Sequence, residues 1–334
     1  MKRISLSNKS LRQRFWRRNK KLTLAITIGD PSGIGPEVVI KALNSPGINL
    51  LANFLVIGDR FAFLKSSKKK LPENVHVLDL ANVNHKGFSF GKIKPEYGSA
   101  SMEYINFALG LLKKRIIDGL VTAPISKESV NLAGYKITGH TEYLAKKTNT
   151  KKFEMMLLAK NLRTVVVTRH IQLKDVSKKL NSNEIYQTIL LTYDALKKIF
   201  QIRRPRIGVV ALNPHLGEDG ILGKEEIRKI IPAIKKAKKK YSTIYGPIAS
   251  DVVFHDCIKG KFDAVVAMYH DQALIPLKTL FPNHAVNLTV GLPFVRTSPC
   301  HGTGFDIAGK NNADPTSMIE AIKLACKLSR NIKR

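Results

Sequence analysis

Three short runs, VVVTRH (165–170), VVALNPH (209–215) and VVAMYH (265–270), share one pattern. Each is an apolar, β-rich stretch too short for a helix and without the alternation of a half-exposed strand, so each reads as a strand buried on both faces. Around them lie helical patterns. Ile105, Ala108, Leu109 and Leu112 recur at helical spacing within 99–115, with Ile116 next in the series, and Ile185, Ile189, Leu196 and Ile199 mark one face of 183–200. Further strands are expected at 22–28, 54–58, 75–78 and 120–123. Buried strands alternating with amphipathic helices specify an α/β protein, and 334 residues suffice for two domains or one large α/β unit.

Each of the three runs delivers a histidine just beyond its end. Strand ends of an open α/β sheet converge on one edge, where ligands bind. Neutral imidazoles suit zinc, cobalt or similar ions, and three protein ligands leave a coordination position open. His170, His215 and His270 are therefore candidate metal ligands. Asp251, expected in a polar turn of GPIASD, and Asp271 are candidates to orient the imidazoles or to act as bases. Lys278, expected on a loop after His270, adds a cation. His76, His85, His255 and His284 read as structural.

Four other segments carry chemistry. The first strand runs into GDPSGIGPEVVIKAL, where glycines, Pro36 and Glu37 suit a strand–turn–helix unit. That unit either faces a phosphate or is merely a tight turn, and it matches neither GxGxxG nor the P-loop. In GHTEYLA, His140 and Thr141 stand at a helix start suited to an anionic substrate; the alternative is a cap and a loop residue. After Asn287 in AVNLTVGLP comes Arg296 in FVRTSP; Arg296 and Lys278, placed after strand-like runs, fit a phosphate or carboxylate clamp. HGTGFDIAGKNNADPTS (301–317) is a Gly- and Asx-rich loop before a helix opening near Pro315.

The net charge of +31 raises the question of nucleic acid, but lysine is spread along the whole chain and no RNP or zinc-finger pattern appears. A nonspecific affinity for polyanions that vanishes with added salt is expected, and no specific nucleic-acid role. Cys257, Cys300 and Cys326 lack metal-like spacing and read as reduced thiols of a cytoplasmic protein. No apolar run approaches the ~18 residues of a membrane span. Residues 1–21 hold nine Lys or Arg and no acid; this reads as a disordered basic extension, in preference to an organelle transit peptide.

Taken in order, GDPSGIGPEV, TAPISK, TGHTEYLA, TRH, LNPHLGEDG, GPIASD, YHDQALIPLK and FVRTSPCHGTGFDIAGKNNADPTS resemble the 4-hydroxythreonine-4-phosphate dehydrogenases of pyridoxal phosphate biosynthesis. The resemblance runs from about Leu22 to the C-terminus and leaves out the basic extension. It implies a two-domain αβα sandwich of the isocitrate/isopropylmalate dehydrogenase-like type with a discontinuous first domain: residues 22–135 and 280–330, then 136–279 as the second. It implies a homodimer with active sites at the subunit interface and a divalent metal (zinc, magnesium or cobalt) on His170, His215 and His270, shared between subunits. Substrate contacts fall on His140, Thr141, Lys278, Asn287 and Arg296. NAD or NADP is held without a Rossmann fingerprint, with His301, Asp306 and Asn311 as loop candidates. The expected reaction is oxidation of 4-phosphooxy-L-threonine to a β-keto acid that decarboxylates to 3-amino-2-oxopropyl phosphate. The nearest competing expectation is a dehydrogenase of threonate or erythronate 4-phosphate. An acyltransferase and a catalytically idle polyanion binder fit the motifs less well.

Overall fold

The structure, a computed structural model, describes residues 21–333 apart from residues 68 and 138. The basic extension, apart from Lys21, lies outside the described residues.

The strands are β1 (Thr23–Thr27), β2 (Asn53–Gly58), β3 (Val75–Asp79), β4 (Gly119–Thr122), β5 (Glu154–Ala159), β6 (Leu162–Thr168), β7 (Ile207–Val210), β8 (Ile244–Ile248), β9 (Ala264–Tyr269), β10 (Val286–Val290) and β11 (Val295–Pro299). They form one sheet in the order β3-β2-β1-β4-β11-β10-β5-β6-β9-β7-β8. Every pair from β3 to β11 is parallel, as is every pair from β6 to β8. Between these blocks β11, β10, β5 and β6 pair antiparallel in succession. Three consecutive reversals leave the two parallel blocks pointing in opposite directions. The first block takes β1–β4 from the start of the chain and β11 from its end, so the first domain is discontinuous.

The helices that matter below are α1 (Gly35–Leu43), α2 (Pro95–Lys113), α3 (Lys127–Leu132), α4 (His140–Lys147), α5 (Ser182–Lys198), α6 (Ile231–Lys238), α7 (Ser250–Ile258), α8 (His270–Leu280) and α9 (Thr316–Lys333). They explain why the second block reads as unbroken apolar runs. Ala264, Val266 and Met268 of β9 face a core shared with α5 and α6, while Val265 and Ala267 face the opposite core, shared with α7 and α8. The two-residue period puts alternate side chains on opposite faces. With helices on both, neither set can be polar, and each buried Val, Met or Ile adds roughly 1.5–3 kcal/mol. The first block packs α1, α2 and α9, together with Tyr143, Leu144 and Ala145 of α4, into a third core.

Two strands depart from the expected pattern. EMMLLA forms β5 although Met and Leu favour helices. IYGPI forms β8 at the sheet edge, where its proline costs no central ladder bond. The basic segment after Lys224 opens as a π-turn over Glu226–Ile230, and α6 begins only at Ile231, with Pro232 in its first turn.

Candidate active site

Because β6, β9 and β7 are parallel neighbours, their C-terminal ends share an edge. There the His170 and His270 rings lie 5.9 Å apart, centroid to centroid. They line an open cleft of about 210 Å³ with Thr168, Tyr269 and Asp271. His270 Nδ1 sits 2.7 Å from Asp271 Oδ1, which fixes the ring and leaves Nε2 free. Partial burial, then the charge of Lys127, lowers the His170 pKa, so at neutral pH this imidazole is in the ligating, neutral form. Gln272 ties the edge together. Its Oε1 accepts from Met268 N at 2.7 Å, and its Nε2 donates to Ala211 O and Ser250 Oγ, both at 2.8 Å.

His215 follows β7 at the same edge but does not join the other two. Among the described residues no three His, Cys, Asp or Glu side chains come together as a metal-holding group within one chain. Two further placements differ from expectation. Asp251 is not in a polar turn but in the first turn of α7, exposed. Lys278 is not on a loop: Pro276 is accommodated inside α8, and Lys278 occupies that helix's last turn. Eight residues of helix separate its backbone from that of His270 by about 12 Å.

A second cluster is interior. Arg296 does not follow a strand; it lies within β11 and is 1% exposed. Its Nε and Nη2 donate to Thr122 Oγ1 at 3.2 and 2.6 Å, and its Nη1 donates to Thr289 Oγ1 at 3.1 Å. Thr141 Oγ1 lies 3.4 Å from Thr289 Oγ1. Among the described residues no carboxylate forms an ion pair with this guanidinium. Burial pushes its pKa down to about 10, which still leaves it charged at neutral pH. Beside it, His140 Nε2 and Asn287 Oδ1 are buried without a hydrogen-bond partner. Burial first, then Arg296, drives the His140 pKa well down, so His140 is neutral. Gly139 is the N-cap of α4, and Thr141 is buried and does not cap. Glu142, in the first turn of α4, acts electrostatically on both Arg296 and His170.

The third element is the loop after β11. Ile34 N donates to Thr303 O at 2.8 Å, and a Cβ on Gly33 would come within 2.9 Å of that oxygen. Residues 22–40 are all buried. GDPSGIGP is therefore a tight turn on which the loop rests, not an exposed phosphate cradle. Lys41 Nζ donates to Asn311 O (2.8 Å), Ala313 O (2.9 Å) and Glu37 Oε1 (2.8 Å), while Ala313 N donates to the same Glu37 oxygen at 2.7 Å. His301 Nε2 is buried without a partner, and burial lowers this group's pKa. Lys278 acts electrostatically on His301 and Cys300, so its charge is felt at this loop. The side chains of Asp306 and Asn311 are exposed.

Residues 37–325 match the family model described as pyridoxal phosphate biosynthetic protein PdxA. The chain belongs to this family. It is 42% identical over 319 residues to a 4-hydroxythreonine-4-phosphate dehydrogenase of Desulforapulum autotrophicum, covering 90% of this chain and 94% of that protein. It is 40% identical over 324 residues to a D-threonate 4-phosphate dehydrogenase of Cupriavidus necator, covering 92% and 97%. The crystal structure of a Klebsiella pneumoniae 4-hydroxythreonine-4-phosphate dehydrogenase superimposes with a TM-score of 0.85 at 35% identity, covering 94% of this chain and 99% of that one. Membership in the PdxA family accords with the motif resemblance. No described helix is long and apolar enough to cross a membrane.

Proposed function

We propose that the chain oxidises the secondary hydroxyl of 4-phosphooxy-L-threonine with NAD or NADP, giving a β-keto acid that loses CO₂ to leave 3-amino-2-oxopropyl phosphate. The observation that carries this reading is Arg296: a fully buried, charged guanidinium with no carboxylate partner among the described residues, beside a buried and unpaired imidazole nitrogen. An uncompensated buried charge is costly, and a phosphoryl group is the counter-ion that fits it. The family's named relatives act on four-carbon phosphorylated acids.

The donors sort the substrate. Arg296, Thr141 and neutral His140 supply hydrogen bonds to the three phosphoryl oxygens, and Lys278 takes the carboxylate. His170 and His270 would hold a divalent ion, since one is neutral by its surroundings and the other is oriented by Asp271. Once bound, that ion supplies Lewis acidity toward the substrate hydroxyl, and the nicotinamide ring supplies the hydride acceptor. The 301–314 loop would hold the dinucleotide, with His301 facing it. Because Asp271 is engaged with His270, we assign it to orientation, and Asp251 to proton acceptance. The third ligand, His215, reaches the ion across a homodimer interface. Support for this comes from the exposed apolar side chains near the histidines, Leu173, Leu216, Ile221 and Ile275.

D-Threonate 4-phosphate is the second reading, supported by relatives of that name at 38–40% identity. Assaying the purified protein on both substrates by NADH absorbance separates them. Turnover of 4-phosphooxy-L-threonine at a higher kcat/KM supports the first reading, and preference for the threonate ester overturns it.

A further inference from the structure

The turn that carries His215 is the most unusual backbone among the described residues. His215, Leu216, Gly217, Glu218 and Asp219 are five consecutive residues in the left-handed region, with φ between 42° and 83°. Four of them bear side chains, which disfavour this conformation, so a run of this kind persists only where its surroundings over-determine it. Those surroundings centre on one group. Glu226, 1% exposed, accepts from Leu212 N and Asn213 N through Oε1, both at 2.8 Å, and from Asn213 Nδ2 through Oε2 at 2.8 Å. It thereby grips the two residues that lead into the turn.

The fit is close on the other side as well. A Cβ on Gly217 would come within 2.9 Å of Glu226 Oε2, so the turn packs directly on the carboxylate. Glu225 adds a second hold, accepting from Asn213 Nδ2 at 2.9 Å and from Ser177 Oγ. The π-turn at Glu226–Ile230 is the local irregularity that goes with this placement. Nothing in this arrangement serves the cleft of His170 and His270 directly. What it does is fix the direction in which the exposed His215 projects, together with Leu216 and Ile221.

We propose that Glu226 is the positioning residue of His215: its buried carboxylate holds the left-handed turn that aims this imidazole away from its own chain. The inference rests on the reading of His215 as a metal ligand. It predicts that metal affinity depends on a carboxylate that never touches the metal. In E226Q the amide nitrogen replaces an acceptor oxygen, and either orientation sets a donor against a donor, Asn213 Nδ2 or the backbone N–H groups.

The experiment uses the full chain with Co²⁺ alone, read by its visible spectrum and by calorimetry, without turnover. E226Q is expected to bind Co²⁺ about tenfold to hundredfold more weakly, the range found for residues that orient a metal ligand. The cofactor Kd and the far-ultraviolet circular dichroism should stay at wild-type values. E226D, which keeps the charge on a shorter arm, should recover part of the loss. Wild-type Co²⁺ affinity in E226Q overturns the proposal. H215A tells the two levels apart: if H215A also binds Co²⁺ normally, the ligand reading fails, and if H215A loses binding while E226Q does not, only the positioning role fails. Should E226Q not fold, E226D carries the test: its shorter arm cannot keep both the Oε1 contacts to Leu212 N and Asn213 N and the Oε2 contact to Asn213 Nδ2, and undiminished Co²⁺ binding there overturns the proposal equally.

Discussion

Arg296→Met separates binding from stability. Burial lowers the guanidinium pKa from 12.5 to about 10, which means that the folded protein disfavours the charged form by about 3 kcal/mol relative to the unfolded chain. The sign follows from the direction: the penalty on a cation whose folded pKa is depressed is fully present below that pKa, hence at neutral pH. Methionine fills similar volume without the charge. It leaves the Thr122 and Thr289 hydroxyls without their donor, at about 1 kcal/mol each. The balance leaves the unliganded variant more stable by about 1 kcal/mol.

Substrate binding should move the other way. Removing one partner of a buried, charge-assisted contact costs roughly 2–5 kcal/mol, so substrate affinity should fall by about thirtyfold or more. Two measurements check this together: urea denaturation without ligand, and the shift in melting temperature on adding 4-phosphooxy-L-threonine. The wild type should gain from the ligand by mass action and R296M should not. A variant that is destabilised by several kcal/mol, yet still binds substrate normally, would show that Arg296 is a structural cation and refute the reasoning.

Two further outcomes follow from the same geometry. Asp30 is fully buried, its Oδ2 has no partner, and burial raises its pKa from 3.8 to about 6. A raised carboxyl makes stability fall as pH rises between those values, so D30N should be up to about 3 kcal/mol more stable than wild type near pH 8 and no more stable near pH 3.5. Urea midpoints at the two pH values decide it. Lys41→Met removes all three bonds from the ammonium to Glu37, Asn311 and Ala313. It should raise the KM for the dinucleotide several-fold and speed amide hydrogen exchange at Ala313, leaving the KM for substrate unchanged; equal shifts in both KM values would count against the loop as the cofactor site.

How much could be read from the chain depended on local consistency. β6, β7 and β9 were legible because their residues are apolar on both faces and β-branched in preference. β5 was hidden by helix-favouring Met155, Met156, Leu157 and Leu158, and β8 by Gly246-Pro247, which reads as a turn. Arg296 is expected after a strand because a charge seldom occupies a central one, but within β11 the Thr122 and Thr289 hydroxyls accept its N–H groups. The expectation of Lys278 on a loop fails because Pro276, ordinarily a helix breaker, is tolerated late in α8. Glu226 gave no signal, since an acid in a charged helical segment looks solvated. Which histidines meet within one chain depends on tertiary geometry, and the spacing of the motifs carries no information about it.

In the proposed function the histidine edge and the 301–314 loop must act together, and the reversed blocks leave helices to join them. The histidine edge belongs to strands of the second block, and the 301–314 loop follows β11 of the first, so the sheet itself carries their C-terminal ends apart. Two helices bridge the separation. α8 begins at His270 and carries Lys278 in its last turn, where its charge acts on His301 and Cys300. α4 places Glu142 where it acts on both His170 and Arg296. On the proposed reading, a ligand anchored at Arg296 comes within the electrostatic reach of Glu142, and this favours a substrate whose negative charge is concentrated at its ends. A four-carbon acid with a phosphoryl group at one terminus and a carboxylate at the other has that distribution, with its reactive hydroxyl carbon between them.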